Sequence, residues 1–401
     1  MISVEEASAR ILATFTPVGA ETVALAEAAG RISAAPVIAR TTQPPADVSA
    51  MDGFAVRAEE ARGGAALRLI GSAPAGHPFA GSVGAGETVR IFTGSFIPAG
   101  ADAVLLQEDA DAEEGGVRVR ETVRSGQHIR RQGQDFAAGE AVIAAGRRLS
   151  PRDIGLAAAA DHPWLLVHRR PRVAVLATGD EIALPGEPIP PGGIVSSNAH
   201  ALAAMVAALG GAPSVLPIAA DDTEAIGRAA DAARGFDLLL TTGGISVGAH
   251  DLVQEGLARR GLAVDFWKIA MRPGKPLMFG RLGEMPVLGL PGNPVAAFVC
   301  ALLFARPALL RLAGLAVAPL PTTTAETATA LGANDRRFDF LRARLEEDAA
   351  GRLVATAFAV QDSAMQAVLA RADALILRPP HAPAVAAGAA VEIVRFDRLG
   401  L

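Results

Sequence analysis

The chain has 401 residues, of which 51% are hydrophobic and 20% are charged, with a net charge of −5 at pH 7. At roughly 100–200 residues per domain this length predicts about two to four domains. The acidic balance argues against nucleic acid or a membrane surface as partner, because both select basic proteins. The single cysteine, Cys300, excludes an internal disulfide and agrees with a reducing cytoplasm.

The N-terminus predicts a helix rather than a targeting segment. Ser3 and Glu6 have the spacing of a helix capping box, and no basic segment followed by an apolar core, as in a signal peptide, is present. The longest apolar run, residues 295–305, is far shorter than the roughly 20 residues of a membrane span. We therefore interpret that run as a buried helix of a cytoplasmic protein.

The next part of the chain changes from helical to β-rich. Residues 1–43 are expected to be helical and then extended. Residues 44–131 contain short β-like runs separated by glycine-rich turns, which is typical of a small β domain; the runs are LRLIGSA, ETVRIFTG, AVLLQED and VRVRETV. A helix is expected to begin at Pro151, directly after Ser150, since proline is favoured at the first helical position.

From Arg172 onwards predicted strands and helices alternate. The strands are RVAVLAT, SVLPIAA, DLLLTTG, VDFWKIA and PVLGLPG, and the helices are 198–209, 223–233, 251–259 and 294–312. This alternation indicates βαβ units and a mostly parallel sheet covered on both faces, with the strand order left open. The stretch from Gly314 to Thr329 is rich in Ala, Pro and Thr and is interpreted as a linker. The remaining runs predict a small terminal β domain.

The predicted fold class is thus α/β plus β in several domains. We expect an extended N-terminal domain of helix and strand (1–43 and 132–168), a β-rich inserted domain (44–131), a central mostly parallel α/β sandwich domain (169–315) and a small C-terminal β domain (316–401).

A polar, charged or glycine-rich loop follows every predicted strand of the central domain. Ligands of open α/β sheets bind at the carboxyl ends of the strands, and turn chemistry alone would account for only two or three of the five loops. The loops therefore predict a binding crevice. They are Thr178-Gly179-Asp180-Glu181, Asp221-Asp222-Thr223, Thr242-Gly243-Gly244-Ile245-Ser246, Met271-Arg272-Pro273-Gly274-Lys275 and Pro291-Gly292-Asn293-Pro294.

Charges of both signs accompany these loops. The basic residues, which suit a phosphate or another oxyanion beside glycine-rich turns, are Lys268, Arg272 and Lys275. The acidic residues, which suggest a hard ion such as Mg²⁺ bound through carboxylates and phosphate oxygens, are Glu181, Asp221 and Asp251. Each acid has a structural alternative: the aspartates as helix caps, and Glu181 as a solvated loop charge.

Two more motifs that could contribute to a site precede the central domain. Asp52 lies in PPADVSAMDGFAV, where Met51-Asp52-Gly53 alone would suggest a hairpin turn, and Thr93 begins TGSFIPAGADAV.

The sequence lacks the signature motifs of several enzyme classes. It has no zinc-binding His or Cys pattern, P-loop or nucleophile elbow, and no dinucleotide fingerprint after the first central strand. A dehydrogenase, a P-loop ATPase or a serine hydrolase is therefore not expected.

Together the motifs resemble the molybdopterin molybdenumtransferase family (MoeA-type), to which the gephyrin E domain is related. The matching segments keep the family's order from about residue 44 to 300: PPADVSAMDGFAV, IFTGSFIPAGADAVLLQED, IRRQGQDFAAGE, VLATGDEI with IVSSN, TTGGISVGAHD, WKIAMRPGKP and GLPGNPVAAF. The TGG and PGNP motifs also occur in molybdopterin adenylyltransferases and CinA-type proteins. The first two segments favour the transferase.

The resemblance implies a function and an assembly. The protein would insert molybdate into adenylylated molybdopterin and release AMP in a Mg²⁺-dependent step, which yields molybdenum cofactor. It would be an elongated homodimer, with each site shared between the central domain of one subunit and the β-rich domain of the other. A molybdopterin adenylyltransferase would deliver the substrate, and apo-molybdoenzymes would accept the product. The alternatives are an adenylyltransferase and a non-catalytic molybdopterin carrier.

Residue roles are carried over from the matching motifs. The implied catalytic residues are Asp52, Thr93, Glu181, Asp221, Asp251, Lys268, Arg272 and Lys275. The implied substrate-binding residues are Thr178, Gly179, Ser197, Thr242, Gly243, Gly244, Ser246, Pro291, Gly292, Asn293, Pro294, Asp135, Arg342 and Ser363. The implied Mg²⁺ ligands are Glu181, Asp221 and Asp251. The chain departs from the family at Phe54, where Tyr is frequent, and at Arg272, where some members have Lys.

Overall fold

The computed structural model describes residues 1–243 and 252–401, which form two compact units. The larger unit comprises residues 1–21, 30–34 and 166–401, and the smaller unit comprises residues 22–29 and 35–165. Four residues of the predicted site lie outside the described residues: Gly244, Ile245, Ser246 and Asp251. The division into four domains stays a prediction.

Most predicted elements are present. The α-helices are α1 Val4–Thr14, α2 Pro151–Ala159, α3 Asn198–Ala208, α4 Thr223–Ala232, α5 Leu252–Ala258, α6 Pro294–Cys300, α7 Arg306–Leu312 and α8 Gln366–Ala370. The strands up to residue 168 are β1 Ala20–Ala24, β2 Val37–Ile38, β3 Val48–Ser49, β4 Gly53–Val56, β5 Ala66–Ala73, β6 Glu87–Ile91, β7 Ala103–Leu106, β8 Ala110–Glu113, β9 Gly116–Val119, β10 Ile129–Arg130, β11 Ala141–Ile143 and β12 Trp164–His168. The later strands are β13 Arg172–Ala177, β14 Ile182–Ala183, β15 Ile194–Val195, β16 Ala212–Val215, β17 Leu238–Thr242, β18 Leu262–Lys268, β19 Met271–Arg272, β20 Pro276–Leu282, β21 Met285–Leu290, β22 Thr322–Thr327, β23 Phe338–Glu347, β24 Leu353–Ala357, β25 Ala374–Arg378 and β26 Ala390–Arg395.

The smaller unit contains a six-stranded mixed sheet in the order β7-β4-β6-β5-β9-β8. Strand β4 lies between β6 and β7 and begins at Gly53, which pairs with Leu106. A side chain at position 53 would overlap the carbonyl oxygen of Leu105. The hairpin turn considered for Met51-Asp52-Gly53 is therefore not what the structure contains. Glycine is required here because the backbones of β4 and β7 approach closely.

The larger unit is built on a six-stranded sheet in the order β16-β13-β17-β21-β20-β18. Strands β16, β13, β17 and β21 are parallel, and β20 is antiparallel to both of its neighbours. The mostly parallel sheet is confirmed, but β20 was not predicted. The predicted strand SVLPIAA is shorter than expected, because after Val215 only an isolated bridge joins Ala219 to Thr178.

Helices cover both faces of this sheet, as predicted. One face packs against α1, α3, α6 and α7, whose buried side chains include Ile11, Leu202 and Phe304. The other packs against α4 and α5 through Ile226 and Leu257. Residues 294–312 form one helix with a π-helical turn at Ala301–Ala305. It is long and apolar enough to span a membrane by length and composition, but most of it is buried inside the protein, in agreement with the predicted core helix.

The C-terminal strands form a small closed barrel. Neighbouring strands follow the order β23-β24-β22-β26-β25, and β25 pairs back with β23. Strand β22, Thr322–Thr327, lies within the stretch interpreted as a linker, so that interpretation was wrong for these residues. Threonine favours strands, and β22 gains its hydrogen bonds from β26, which is distant in sequence. Composition alone could not show that pairing.

Candidate functional site

The loops at the carboxyl ends of the central strands come together as predicted. The backbone N–H of Thr178 donates to the carbonyl of Thr242 at 3.1 Å, and the Thr242 hydroxyl donates to the carbonyl of Pro291 at 3.2 Å. Gly243 has a φ of +92°, and a side chain there would overlap the Thr178 carbonyl. Only a glycine therefore lets these loops approach so closely. Gly292 lies beside Gly243, with a side-chain position 3.6 Å from its Cα.

Asn198 joins two of these loops and was not among the predicted site residues. Its side-chain amide donates to the Thr242 hydroxyl at 2.9 Å and to the Gly292 carbonyl at 2.7 Å. It is the first residue of α3 and follows Ser197, which is half-buried and makes no capping hydrogen bond. The polar IVSSN segment was the signal that could have identified Asn198. The Asn198 amide therefore links two loops of the crevice to the N-terminus of α3.

The acidic residues gather at the same edge of the sheet. The backbone N–H of Asp221 donates to Asp180 Oδ1 at 3.0 Å. Burial, together with the negative charges of Asp180 and Glu181, raises the pKa of Asp221. Asp222, not Asp221, caps α4 by accepting from the N–H of Ala225 at 2.8 Å. Asp221 is therefore free of the capping role that was its structural alternative.

Mg²⁺ would find hard oxygen donors here. The negative charges that help to raise the pKa of Asp221 also make this region favourable for a cation. Among residues 1–243 and 252–401, no group of three or more His, Cys, Asp or Glu side chains is arranged to hold a metal ion by itself. The donor chemistry fits an ion that also takes oxygens from a bound phosphate. Glu181 and Asp221 are the described residues that would hold it.

The cationic loop has a backbone that depends on one glycine. Gly274 has a φ of +107°, and a side chain there would overlap the sulfur of Cys300. Cys300 is fully buried in α6, where burial raises the pKa of its thiol. Lys268 and Lys275 are exposed on either side of this loop. The packed glycine thus lets two solvated ammonium groups flank one turn.

Arg272 connects the cationic loop to the C-terminal barrel. It lies in β19, which pairs in parallel with β23 so that Arg272 is opposite Asp339. The Arg272 guanidinium donates through Nε to Asp339 Oδ2 at 3.0 Å, and its Nη2 contacts the same oxygen. Asp339 is only 4% exposed, whereas the Arg272 side chain is half-exposed. The buried carboxylate therefore orients an arginine whose outer face reaches solvent.

A cavity of about 640 Å³ lies between the cationic loop, the PGNP turn and the barrel. Its lining includes Arg272, Lys275, Asn293, Arg337 and Ser363. The Asn293 side-chain amide donates to the Ser363 hydroxyl at 2.8 Å, and the N–H of Val295 donates to the Ser363 carbonyl at 3.0 Å. Pro294 is the first residue of α6, so the helix N-terminus opens beside this turn. Arg337 was not predicted.

Arg342, which the resemblance implies as a substrate-binding residue, is buried beside the loop that carries Ser363. It is 1% exposed and does not line this cavity. Its Nε donates to Gln361 Oε1 at 3.1 Å and its Nη1 donates to the Asp362 carbonyl at 2.8 Å. Burial lowers the pKa of the guanidinium. In this structure Arg342 holds the loop that presents Ser363.

The smaller unit brings Asp52 and Thr93 together. Asp52 Oδ1 accepts hydrogen bonds from the Thr93 backbone N–H at 2.7 Å and from the Thr93 hydroxyl at 2.8 Å. These two bonds lower the pKa of Asp52, with a smaller contribution from Arg90. The Arg90 guanidinium also lies over the Phe54 ring, 4.9 Å from its centroid. The result is an exposed, fully ionised carboxylate held in one orientation.

Asp135 lines a separate cavity of the smaller unit. This cavity has a volume of about 420 Å³, and its lining also includes Gly94 and Arg130. Asp135 is exposed, and its N–H donates to the Gln43 carbonyl at 3.0 Å. Since Gly94 follows Thr93, Asp135 lies on the same side of the smaller unit as the Asp52–Thr93 pair.

One further cavity lies at the opposite, amino edge of the central sheet. It measures about 650 Å³ and its lining includes Arg169, Asp237 and Arg260. Arg169 donates through Nη1 and Nη2 to the two carboxylate oxygens of Asp237, each at 2.6 Å. None of the predicted site residues lines this cavity. The carboxyl-edge crevice therefore remains the candidate site.

Known families match the chain over most of its length. Residues 2–160 match the MoeA N-terminal region (domain I and II), residues 174–311 match a probable molybdopterin binding domain, and residues 324–396 match the MoeA C-terminal region (domain IV). These models cover both the larger and the smaller unit.

Curated relatives and a solved structure agree with these matches. A molybdopterin molybdenumtransferase of Haemophilus influenzae is 33% identical over the whole of both chains, and molybdopterin molybdenumtransferase 2 of Mycobacterium tuberculosis is 36% identical over 93% of this chain and 94% of its own. The molybdopterin molybdenumtransferase of a Nostoc species is 38% identical over 74% of this chain and 70% of its own. The crystal structure of the molybdopterin biosynthesis MoeA protein from Pyrococcus horikosii superimposes with a TM-score of 0.88 at 29% identity, covering 99% of each chain.

Proposed function

Since this chain belongs to the molybdopterin molybdenumtransferase family, we propose that it inserts molybdenum, taken as molybdate, into adenylylated molybdopterin and releases AMP. The relatives that support this activity extend over the full length of the chain, not only over the central domain. An adenylyltransferase that uses only the central domain is therefore disfavoured. The chain is an enzyme of molybdenum cofactor biosynthesis.

One observation supports the reaction most directly: the carboxyl edge of the central sheet carries both a cationic loop and acidic loops. Arg272 and Lys275 line the cavity of about 640 Å³, while Asp221 lies with Asp180 at the loops that follow β16 and β13, towards the other end of the strand order. Two anions, molybdate and a pyrophosphate-linked nucleotide, require positive charge to approach each other. Hydrolysis or transfer at the pyrophosphate requires oxygen donors that orient water or a metal ion. A protein that only binds these anions would need the cationic loop but not the acidic loops.

The residues of the candidate site fall into groups with different chemical roles. Lys268, Arg272 and Lys275 would neutralise molybdate and the phosphates. The turns around Thr242 and Pro291 would present backbone groups and the helix N-terminus to the pterin phosphate. When bound, Mg²⁺ would polarise the phosphate oxygens that become the leaving group. Glu181 and Asp221 would hold that ion together with Asp251, which lies outside the described residues.

We further propose that the site is completed by the smaller unit of a second subunit. Asp52 is exposed and ionised, and its orientation is fixed by Thr93. Both hydrogen bonds from Thr93 go to Oδ1, so Oδ2 of this carboxylate is available to orient a substrate proton or water. Asp135 would act from the same side. The proposal also includes the homodimer, a cytoplasmic location, delivery of the substrate by a molybdopterin adenylyltransferase and transfer of the product to apo-molybdoenzymes.

The test is release of AMP from adenylylated molybdopterin in the presence of Mg²⁺, with and without micromolar molybdate. We expect release to depend on molybdate and the product to activate an apo-molybdoenzyme. Asp52→Ala should lose most of the turnover. It should keep its fold and its ligand binding, because an exposed carboxylate adds little to folding. Removing Mg²⁺ with a chelator should abolish release.

A carrier would behave differently. It would bind the adenylylated pterin tightly but release no AMP from the wild-type chain under either condition. Asp52→Ala would then have no turnover to lose. ATP-dependent transfer of AMP to free molybdopterin would instead identify an adenylyltransferase.

A further inference from the structure

Arg337 brings an unpredicted positive charge into the candidate crevice. It precedes β23 of the barrel and lines the same cavity as Arg272 and Lys275. It lies in none of the motifs that carry the family resemblance. Its immediate neighbour Arg336 is exposed and is not among the residues that line the cavity. Two adjacent arginines therefore differ in their relation to the site.

The Asp335 carboxylate lies between the guanidinium groups of Arg337 and Arg272. Arg337 donates to it through Nη2 at 2.7 Å and through its backbone N–H at 2.8 Å. Arg272 Nη1 is 3.7 Å from the same carboxylate oxygen that Arg337 Nη2 contacts. Hydrogen bonds from Arg337, reinforced by the charges of Arg337 and Arg272, lower the pKa of Asp335 to about 2. The carboxylate is thus a permanent anion at the working pH.

Both arginines are held in place from behind. Asp339 accepts from Nε and Nη2 of Arg272, which leaves Nη1 as the guanidinium nitrogen directed to Asp335. The turn that carries Arg337 is braced by Asn334, whose amide donates to the carbonyls of Arg337 at 2.7 Å and of Arg378 at 2.8 Å. A pair of guanidinium groups fixed in this way matches a planar or tetrahedral oxyanion.

We propose that Arg272 and Arg337 form an oxyanion subsite of the crevice, and that the Asp335 carboxylate occupies it until a tetrahedral oxyanion displaces it. The subsite rests on the proposed function, because the oxyanion is either molybdate or a phosphate of the pterin substrate. Asp335 competes with that ligand for the same N–H donors. It therefore weakens binding of the anion and lets the subsite empty after turnover.

The test is a calorimetric titration of the full-length protein with molybdate alone, and separately with inorganic phosphate and with AMP. Arg337→Ala should weaken binding of the true ligand about 10-fold, since a charge-assisted contact is lost. Asp335→Asn should tighten it several-fold, because a competing anion is removed. Arg336→Ala removes the same charge one residue away and should change affinity less than about twofold. The anion whose affinity follows this pattern is the one that the subsite takes.

Two results would overturn the inference. Equal effects of Arg337→Ala and Arg336→Ala would show only a general effect of net charge. Weaker binding in Asp335→Asn would show that the carboxylate builds the subsite rather than competes for it. If thermal unfolding shows that Arg337→Ala is misfolded, Arg337→Lys keeps the charge without the planar fork and should bind with an intermediate affinity.

Failure of the proposed function can be told apart from failure of the subsite. If the wild-type chain releases no AMP but anion binding still depends on Arg337 and Asp335, the reaction is wrong and the subsite stands. If AMP release depends on molybdate but neither anion affinity nor the KM for either substrate changes in Arg337→Ala, the subsite is wrong and the reaction stands.

Discussion

Gly274 is the residue on which the shape of the cationic loop most directly depends. Its φ of +107° lies outside the range that residues with side chains adopt easily, and its α-carbon faces the buried sulfur of Cys300. The loop on either side carries Arg272 and Lys275. A change at this glycine therefore affects the positions of both charges through the backbone.

We predict that Gly274→Ala lowers the free energy of unfolding by about 2 kcal/mol, from a strained backbone and an overpacked core together. Urea unfolding measures this loss. Gly283→Ala is the matched control, because Gly283 also has a positive φ, +61°, but has open space around it. Its cost should be about 1 kcal/mol, from the backbone alone.

The contribution of overpacking against Cys300 to this loss of stability can be tested separately. Adding Cys300→Ala to Gly274→Ala should recover part of the loss, although Cys300→Ala alone destabilises the core. Additive effects of the two substitutions would contradict the steric explanation.

At the scale of elements, caps and turns decide where helices begin. Helix α2 has a complete capping box: Ser150 Oγ accepts from the N–H of Asp153 at 3.3 Å, and Asp153 Oδ2 accepts from the N–H of Ser150 at 2.8 Å. Helix α1 starts with Ser3, which accepts from the N–H of Glu6 at 3.0 Å. The side chain of Glu6 instead pairs with Arg10, so the predicted capping box of α1 is made in one direction only.

We predict that Asp153→Ala lowers the free energy of unfolding by about 1–2 kcal/mol at pH 7. Burial of the carboxyl acts to raise its pKa, but hydrogen bonds from Ser150 and Arg147 outweigh it and leave the pKa lowered. The ionised group therefore stabilises the fold above the unfolded value of about 4, and this stabilisation is lost as the pH falls through the folded value.

Denaturation curves between pH 7 and pH 3 test this sign. The difference in free energy of unfolding between wild type and Asp153→Asn, which keeps an acceptor but cannot ionise, should become smaller as the pH falls. A difference that grows on acidification would mean that the folded-state pKa of Asp153 is raised instead.

At the scale of the whole molecule, the proposed dimer makes a quantitative prediction. Asp52 and Lys275 lie in different units of the chain. If each site combines the smaller unit of one subunit with the larger unit of another, Asp52→Ala and Lys275→Ala complement each other. Random exchange of subunits between the two inactive homodimers should restore about a quarter of the wild-type activity, since half of the dimers then contain one intact site of two.

Molybdate-dependent AMP release after subunit exchange measures the restored activity. Each variant exchanged with itself is the control and should stay inactive. No recovery, despite exchange shown by differently tagged subunits, would place both residues in a site made by one chain.

Much of the site could be predicted from the sequence because its loops follow strands directly. Thr178, Thr242 and Pro291 each lie just after an apolar run, and the carboxyl ends of parallel strands share one edge of a sheet. The resemblance assigned Asp52 and Thr93 to the same site, and the structure pairs them although they are 41 residues apart in sequence. Neither composition nor periodicity could have joined these two residues.

The sequence by itself determined which residue types stand at the strand ends, where helices begin, and that the central sheet is mostly parallel, because these features depend on neighbours along the chain. Only the tertiary structure decided that β20 reverses direction, that β22 belongs to a closed barrel, and that Asp339, Asp335 and Arg337 surround Arg272. These arrangements arise from pairings between segments distant in sequence. Their free energy comes from contacts that no local pattern contains.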